Sequence, residues 1–447
     1  FLKKVLFALY LPILLAAREY GFEEILEKAL TNNNSLKAKK IDIEIAKSRV
    51  SEISAKKFGE LNIGHNYTRT NHAGYVFMNK LSSREATCAD FGFGDFLSAQ
   101  ASGQNPLSIT PDELNNPKPR DNYEGFVEYK LPIFAGFALS NQEAAAKKIE
   151  EAAKLFAAKD EKALAVETLR AYNNAVAAQK YLEAMRVSKK SVEMIVSNTS
   201  EMLKEKLASK TDLMEAEYAD SVSRARLFEA EKNYEVAISY LKFLTDDEAV
   251  DGVGGFFEPR LNKTIELKRD DIAAKSAIKD ASKKISDASS ADFYPKVFAF
   301  AKYGYNDNSL TLSSSKDFYL AGVGISYNIT DFGATSAKTE GARAEFLKAS
   351  DDEAATKSFA KFELKQKELE LKQKELQLSE AKSAKALASN IFENYKIKYK
   401  NGLTSISDLV KKEAEDSLSQ AALIGATAAY LNAKAEYKYA LGQGIKE

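Results

Sequence analysis

The sequence predicts a mainly helical fold that also holds four β-strands and is built twice by tandem duplication. The stretch KLASKTDLMEAE at 206–217 returns 196 positions later as GLTSISDLVKKE at 402–413. Each copy separates two long stretches poor in glycine, so each reads as the turn at the tip of a helical hairpin. The same register places Tyr234 on Tyr430 and Ala237 on Ala433, which extends the repeat into the descending helix. We therefore expect a first repeat at 18–251, a linker at 252–262 and a second repeat at 263–447.

The composition excludes several classes of protein. With 64 basic and 64 acidic side chains the formal net charge is zero, which gives no reason to expect nucleic acid as a partner. The single cysteine, Cys88, excludes a framework of internal disulfides. Only eight prolines interrupt the 447 residues, so long stretches are free to be helical.

The first residues have the pattern of a secretory signal peptide. Lys3 and Lys4 precede an apolar run from Val5 to Leu15, and Ala16 and Ala17 follow it. The run is too short to span a bilayer, so we assign 1–17 to a signal peptide outside the mature fold. An ordinary amphipathic helix is the alternative interpretation of these residues. No other stretch reaches ~18 apolar residues, so any contact with a membrane is made without a transmembrane helix.

In the first repeat, a helix is expected from Phe22 to about residue 57, locally weakened at Asn32 to Asn34. A strand at 58–67 follows, and then a long exposed loop at 68–122. A second strand at 123–131 alternates two kinds of side chain, as a strand with two different surroundings does. A helix of about 65 residues then runs to the tip at 206–212, and a helix of about 35 residues returns from it.

The second repeat has the same plan with a shorter connection between its strands. We expect a helix to about residue 290, strands at 295–305 and 318–329, a long helix to Lys400, the tip at 401–408 and a final helix to Leu441. The register of the two halves differs by 38 residues between their strands. Extra sequence of this kind belongs in exposed loops, which explains why the segment 68–122 is long.

Two features indicate that several chains must combine. In the second long helix Phe362, Leu369 and Leu376 form one heptad series, and Leu364, Leu371 and Leu378 form another about 200° away. A helix with two such seams has a neighbour on each side, as in a wall or tube of helices. The strand at 318–329 carries an apolar face with tyrosines at both ends, as lipid-facing strands of membrane barrels do, but such barrels need at least about eight strands. A two-stranded rod and a soluble four-stranded sandwich are the respective alternatives.

The order and spacing of these features resemble the TolC-type outer-membrane efflux family over essentially the whole mature sequence. The motifs that carry the resemblance are NNNSLKAKK near residue 36, the strand-to-helix junctions YKLPIFAGF and YNITDFGAT, the tip NGLTSISDL and the terminal YLNAKAEYKYALG. The segments FMNKLSSREATCADFGFGDF and PDELNNP are similar to an insertion found in a subset of that family.

The resemblance implies a homotrimer located in the cell outer membrane, with a long periplasmic extension. Twelve strands would form one transmembrane β-barrel in contact with outer-membrane lipid, and long helical hairpins would form a trimeric α-barrel tunnel with the linker 252–262 in its equatorial region. The implied function is a passive exit duct in a tripartite efflux or type I secretion system. Its partners would be a periplasmic membrane-fusion adaptor and an inner-membrane pump of RND or ABC type.

The resemblance also assigns six residues to the periplasmic entrance of the tunnel. An aspartate at the position of Asp408 lines the narrowest point in the family, but a second aspartate is replaced here by Lys411 and a latching arginine by Thr404. Thr211, Asp212 and Tyr399 match further latch positions. Read from the residues alone, Ser209 with Asp212 and Ser405 with Asp408 have the spacing of helix caps, in which an acidic first-turn residue favours the helix dipole.

No pattern in the chain indicates catalysis. His65, His72 and Cys88 match no zinc-binding spacing and are better explained as surface residues. Neither a nucleophile motif nor a phosphate-binding loop occurs, so we expect no enzyme and no cofactor. A soluble or peripheral coiled-coil scaffold that tethers other proteins is the alternative to the duct.

Overall fold

The computed structural model describes residues 18–261, 267–310 and 314–445. The expected signal peptide at 1–17 and residue 262 of the expected linker lie outside these ranges. The described residues form ten α-helices: α1 (Phe22–Asn32), α2 (Asn34–Ala55), α3 (Ala73–Ser82), α4 (Phe93–Ala101), α5 (Asp112–Asn115), α6 (Ala138–Lys204), α7 (Lys210–Thr245), α8 (Asp270–Ser289), α9 (Ala334–Lys400) and α10 (Ile406–Ala440). They also form six strands: β1 (Glu19–Tyr20), β2 (Glu60–Thr70), β3 (Arg120–Ala135), β4 (Gly252–Val253), β5 (Lys296–Asp307) and β6 (Asp317–Ser326).

The chain divides into two compact units. The first, the helical unit, consists of Phe1–Ile45, Glu150–Ile278 and Ser350–Glu447, and the second, the sheet unit, consists of Ala46–Ile149 and Lys279–Ala349. None of the described helices is long and apolar enough to cross a membrane.

The main core of the helical unit surrounds Tyr172 on α6. Its ring packs against Phe22, with ring centroids 5.6 Å apart, and its hydroxyl contacts the carbonyl oxygens of Tyr20 and Gly255, each at 3.2 Å. These carbonyls flank a parallel pairing of β1 with β4, which sequence reasoning missed. The expected linker therefore contains a strand, and Val253 in that strand is fully buried in the core.

The helix expected from Phe22 to about residue 57 is broken at Asn33. The backbone of Asn33 leaves the helical region, with φ −57° and ψ 118°. Its side chain accepts a hydrogen bond from the amide of Leu36 at 3.1 Å and donates one to the carbonyl of Leu244 at 3.2 Å. The Leu36 bond satisfies the start of α2, and the amide of Asn33 still donates to the carbonyl of Ala29 at 3.1 Å, so α1 ends and α2 restarts at little cost.

The sheet unit is organised around one antiparallel sheet with the strand order β2-β3-β5-β6. Ile63 lies opposite Val127, Val127 opposite Tyr303, and Ala301 opposite Ala321. The strands expected at 58–67, 123–131, 295–305 and 318–329 all exist, but their observed bounds differ by up to four residues. The largest difference is in β3, which starts at Arg120 and continues past Pro132, because a register shift at Pro132 and Phe134 accommodates a residue that has no backbone N–H.

The two faces of this sheet differ in character. One face, here called the apolar face, carries valine, isoleucine, leucine and alanine with tyrosines such as Tyr67, Tyr123 and Tyr319 towards one end. The other, the polar face, carries Glu124 and Lys302, joined by an ion pair at 2.7 Å. The apolar face is largely uncovered, since Ile63 is 86% and Ile325 is 73% exposed.

The segment between β2 and β3, residues 71–119, is called the insertion below. The exposed loop predicted at 68–122 is wrong, because the segment contains α3, α4 and α5 and residues at both of its ends belong to strands. Val76 and Ala99 are buried within it, and Asp90 both bonds Lys80 and closes a capping box with Thr87. These contacts lower the pKa of Asp90 to about 2, with the Lys80 bond the largest cause.

The turns at the two hairpin tips are shorter than the predicted spans 206–212 and 401–408. The descending helices begin at Lys210 and Ile406, so the second half of each predicted turn is helical. The reason is the cap: Ser209 and Ser405 stand immediately before the helices and satisfy their first free N–H groups, which starts each helix early.

Candidate functional site at the hairpin tips

The first tip is closed by a reciprocal cap. The side-chain oxygen of Ser209 accepts a hydrogen bond from the amide of Asp212 at 3.1 Å, and the carboxylate of Asp212 accepts one from the amide of Ser209 at 2.7 Å. Lys206 has φ +65°, the left-handed conformation that ends α6. Thr211 lies beside Asp212 on the exposed first turn of α7.

The second tip gathers three polar side chains around Asp408. Its amide donates to Ser405 Oγ at 3.1 Å, and its Oδ2 accepts from Ser405 Oγ at 2.7 Å and from Thr404 Oγ1 at 3.3 Å. The Ser405 bond is the largest of the effects that hold the pKa of Asp408 below its ordinary value of 3.8, and the positive charge of Lys411 acts in the same direction. Asp408 is therefore a solvent-exposed carboxylate that stays charged at neutral pH.

Tyr399 joins the second hairpin to the first. Its hydroxyl lies 3.0 Å from Oγ1 of Thr199, which is fully buried on α6. Thr199 uses its own hydroxyl proton to bond the carbonyl of Ile195 at 2.8 Å, so Tyr399 is the donor to Thr199. The bond lies beside an apolar cluster formed by Ile195, Ala216, Phe392, Ile406 and Leu409, which joins all four helices of the tips.

A second polar contact between the hairpins lies further from the tip. Ser188 Oγ on α6 donates to Glu413 Oε1 on α10 at 2.6 Å. Burial raises the pKa of the Glu413 carboxyl above its ordinary value of 4.5, against the opposing effect of the Ser188 bond. Asp416, one turn later, is held within the second hairpin by Lys385 and Ser389, each at 2.8 Å.

These contacts border an open groove between α6, α9 and α10 with a volume of about 1360 Å³. Its walls combine apolar side chains such as Met194 and Phe392 with charged ones such as Lys180 and Lys396. The groove therefore brings apolar and charged side chains of three helices together beside the second tip.

The structure brings some of the six predicted site residues together and separates others. Thr404, Asp408 and Lys411 form one group, and Tyr399 anchors the same tip to α6. Among the described residues, no hydrogen bond or ion pair joins Thr211 or Asp212 to Asp408. Sequence reasoning missed Thr199 and Ser188, since an isolated threonine or serine in a long helix carries no signal of a partner about 200 residues away.

The residues considered as metal ligands form no site. Within the described ranges, no three histidine, cysteine, aspartate or glutamate side chains are placed to hold a metal ion. His65 lies on β2 near Tyr305, 3.5 Å from its hydroxyl, and the ring of His72 lies 4.9 Å from that of Tyr75 in the insertion, tilted by 54°.

Solved structures that resemble this chain include outer-membrane channels. The chain aligns over 95% of its length with the CmeC outer membrane channel of Campylobacter jejuni (TM-score 0.78, 17% identity, 86% of that chain). It aligns over the same share with VceC of Vibrio cholerae (TM-score 0.77, 15% identity, 96% of that chain) and with the open state of the MtrE channel of Neisseria gonorrhoeae (TM-score 0.76, 16% identity, 89% of that chain). At these identities the likeness shows the fold, and it confirms the predicted fold class of long duplicated helical hairpins with four strands.

The sequence of the second repeat matches a known family. A comparison with curated protein sequences found no match. The family model described as outer membrane efflux protein matches residues 262–443, which include the second tip and both of its long helices. The resemblance drawn from the motifs is thereby confirmed, since residues 262–443 match the model of the outer membrane efflux protein family.

Proposed function

We propose that this chain forms the outer-membrane channel of a tripartite efflux or type I secretion system, a passive duct that a periplasmic adaptor and an inner-membrane pump open. The observation that carries the proposal is the four-stranded sheet. Its apolar face is exposed, and its outer strands β2 and β6 have no further strand beside them among the described residues. Backbone groups at a sheet edge must be paired before they enter lipid, so the sheet needs copies of itself to close.

A trimer satisfies this requirement. Three copies supply twelve strands, within the range of known membrane barrels, with β6 of one copy beside β2 of the next. The apolar face then contacts lipid, and the polar face, with Glu124 and Lys302, lines a water-filled interior. On the polar face the rings of Phe126 and Phe300 lie over Gly64 and Gly322, where a Cβ atom would come within 2.4 Å and 2.9 Å of the ring.

The helical unit supports the same assembly. Phe362, Leu369 and Leu376, the first heptad series of α9, are 63%, 56% and 69% exposed, whereas Leu364, Leu371 and Leu378 are half-buried against their own chain. An apolar stripe of this length on a soluble surface indicates a partner. A neighbouring copy covers it in a tube of helices.

In this proposal the hairpin tips form the entrance of the duct. Asp408, Thr404 and Lys411 belong to the polar group nearest the opening, and the bonds of Tyr399 and Ser188 hold the two hairpins of each copy together. Asp212 caps α7 at the first tip, and Thr211 lies beside it on the exposed first turn of that helix. The duct performs no chemical step, so these residues act on passage and on opening.

Fractionation, oligomeric state and conductance test the proposal together. The protein should fractionate with outer membranes, form trimers in detergent and open pores in planar bilayers. Leu369→Glu should dissociate the trimer, because it places a carboxylate in the covered stripe, whereas Lys372→Glu on an exposed part of the same helix should not. A protein that stays soluble and monomeric without detergent would instead be the coiled-coil scaffold.

A further inference from the structure

Specific hydrogen bonds and ion pairs hold the insertion to one end of the sheet. Arg84 adopts a left-handed backbone conformation, φ +57°, and its guanidinium donates to the carbonyl oxygens of Ser315 and Asp317, each at 2.7 Å. Next to it, Glu85 bonds both Arg120 and Lys316. Burial by itself would raise the pKa of Glu85, but the bonds from Lys316 and Arg120 hold it below its ordinary value. The insertion is thus a folded element with a fixed position on the sheet.

These bonds carry the insertion across the whole end of the sheet. It leaves from β2, at one edge, and Arg84 reaches the start of β6, at the other edge. Adjacent strands lie about 4.8 Å apart, so the segment crosses roughly 14 Å. Both edges of the sheet therefore meet the insertion of the same copy.

The contacts also show which face of the sheet the insertion covers. Arg120 and Asn122 point to the same face as Glu124, the polar face, because alternate residues of a strand share a face. Arg120 donates to the buried Ser83 of the insertion at 2.7 Å, and Asn122 is buried beside Asn306. The insertion is thus attached on the side that the proposed function assigns to the interior of the barrel.

The insertion exposes an apolar surface formed by Phe91, Phe93, Phe96, Leu97 and Leu107. The three phenylalanines line a cleft of about 150 Å³, whose walls also include Pro106, Ile109 and Pro111 together with Gly92 and the carboxylate residue Asp95. Phe93 is 56% exposed, and Leu107, on the adjoining turn, is 88% exposed. Such a surface beside water is costly unless another molecule covers it.

We infer that the insertions of neighbouring copies pack on one another through this apolar surface. They would meet on the polar face of the assembled sheet, at the end where β2 finishes and β6 begins. The inference rests on the proposed function. When β6 of one copy pairs with β2 of the next, the two insertions meet, since each reaches both edges of its own sheet. The second copy is thus brought to the surface by the same pairing that closes the sheet. Three insertions attached on the polar face would together narrow the outer mouth of the duct.

A single tryptophan reports whether the surface is covered, because the chain contains no tryptophan. The purified full-length protein is reconstituted in lipid vesicles as Phe93→Trp, with Lys118→Trp as the control on an exposed part of the same insertion. We expect acrylamide to quench the fluorescence of Phe93→Trp several-fold less than that of Lys118→Trp, and brominated lipids to leave Phe93→Trp unquenched. Quenching of Phe93→Trp by brominated lipids would mean that lipid covers the surface, and full quenching by acrylamide would mean that nothing does; either result overturns the inference.

Crosslinking identifies the neighbour. In a Cys88→Ser background, Leu97→Cys gives one thiol per chain, so any product of a short bismaleimide joins two chains. We expect crosslinked dimers from Leu97→Cys, and none from Lys118→Cys in the same background. Trimers that form without a Leu97→Cys crosslink would overturn the inference and leave the proposed function standing, whereas a wild-type protein that forms neither trimers nor pores would overturn the proposed function itself.

Discussion

Removing one hydroxyl group near the second tip should make the proposed entrance easier to open. Tyr399 donates a hydrogen bond to Thr199 Oγ1 at 3.0 Å, and Tyr399→Phe deletes this bond while keeping the ring in place. Thr199 retains its own bond to Ile195, so the change leaves no buried hydroxyl without a partner. A hydrogen bond of this kind contributes about 0.5–1.5 kcal/mol net. Because 1.4 kcal/mol corresponds to a factor of ten, the ratio of open to closed tips should rise about two- to tenfold.

The assay is single-channel recording of the purified trimer in planar bilayers, in which the open-to-closed ratio is read from dwell times. Tyr395→Phe is the matched control. Tyr395 lies one turn earlier on α9, packs against the same apolar cluster, and makes no hydrogen bond with its hydroxyl to any described residue. This variant should behave as the wild type does.

Two results would refute the reasoning. If Tyr399→Phe and Tyr395→Phe change the ratio equally, the bond to Thr199 does not hold the tips. If Tyr399→Phe lowers the ratio, the bond belongs to the open arrangement. For each variant, light scattering must show that the trimer is intact, so that dissociation of the trimer is not mistaken for closure of the tips.

Three further predictions concern charge and backbone. Asp408→Asn should weaken cation block of the conductance, and block of the wild type should persist until the pH falls below 3.8, the ordinary pKa that the Ser405 bond depresses; unchanged block would remove Asp408 from the pore. Because burial raises the pKa of Glu413, the folded state favours the protonated carboxyl. Its contribution to stability is complete below pH 4.5 and is lost as the pH rises through the raised pKa. The thermal midpoint of Glu413→Gln should therefore depend less on pH than that of the wild type and be higher at neutral pH. Gly136→Ala should destabilise the protein more than Gly333→Ala. Both glycines have positive φ, where alanine is strained by about 1–2 kcal/mol, but only at Gly136 would the new Cβ meet a backbone oxygen, at 2.2 Å, which adds about 1–3 kcal/mol. Equal thermal midpoints of the two variants would contradict this prediction.

The contacts at the hairpin tips could be predicted only in part. The resemblance pointed to Asp408 and Tyr399, and the capping spacing pointed to the bonds of Ser209 and Ser405, because a cap involves residues three positions apart. The partner of Tyr399 could not be predicted, since Thr199 lies 200 positions away and one buried hydroxyl leaves no periodic signal. The burial of Glu413 could not be predicted either. Glu413 and Glu217 are the same residue type at the same position of the repeat, but only Glu413 is buried in the structure.

The sequence by itself determined the duplication, the two tips, the four long strands and the two unlike faces of the sheet. These follow from spacing along the chain, because helices and strands impose their own periods on apolar residues. Tertiary structure alone decided that the segment between β2 and β3 folds, that it is attached on the polar face through Arg120, and that β4 in the linker pairs with β1. Those outcomes depend on which distant groups satisfy one another's charges and hydrogen bonds, and that choice is made only when the chain has packed.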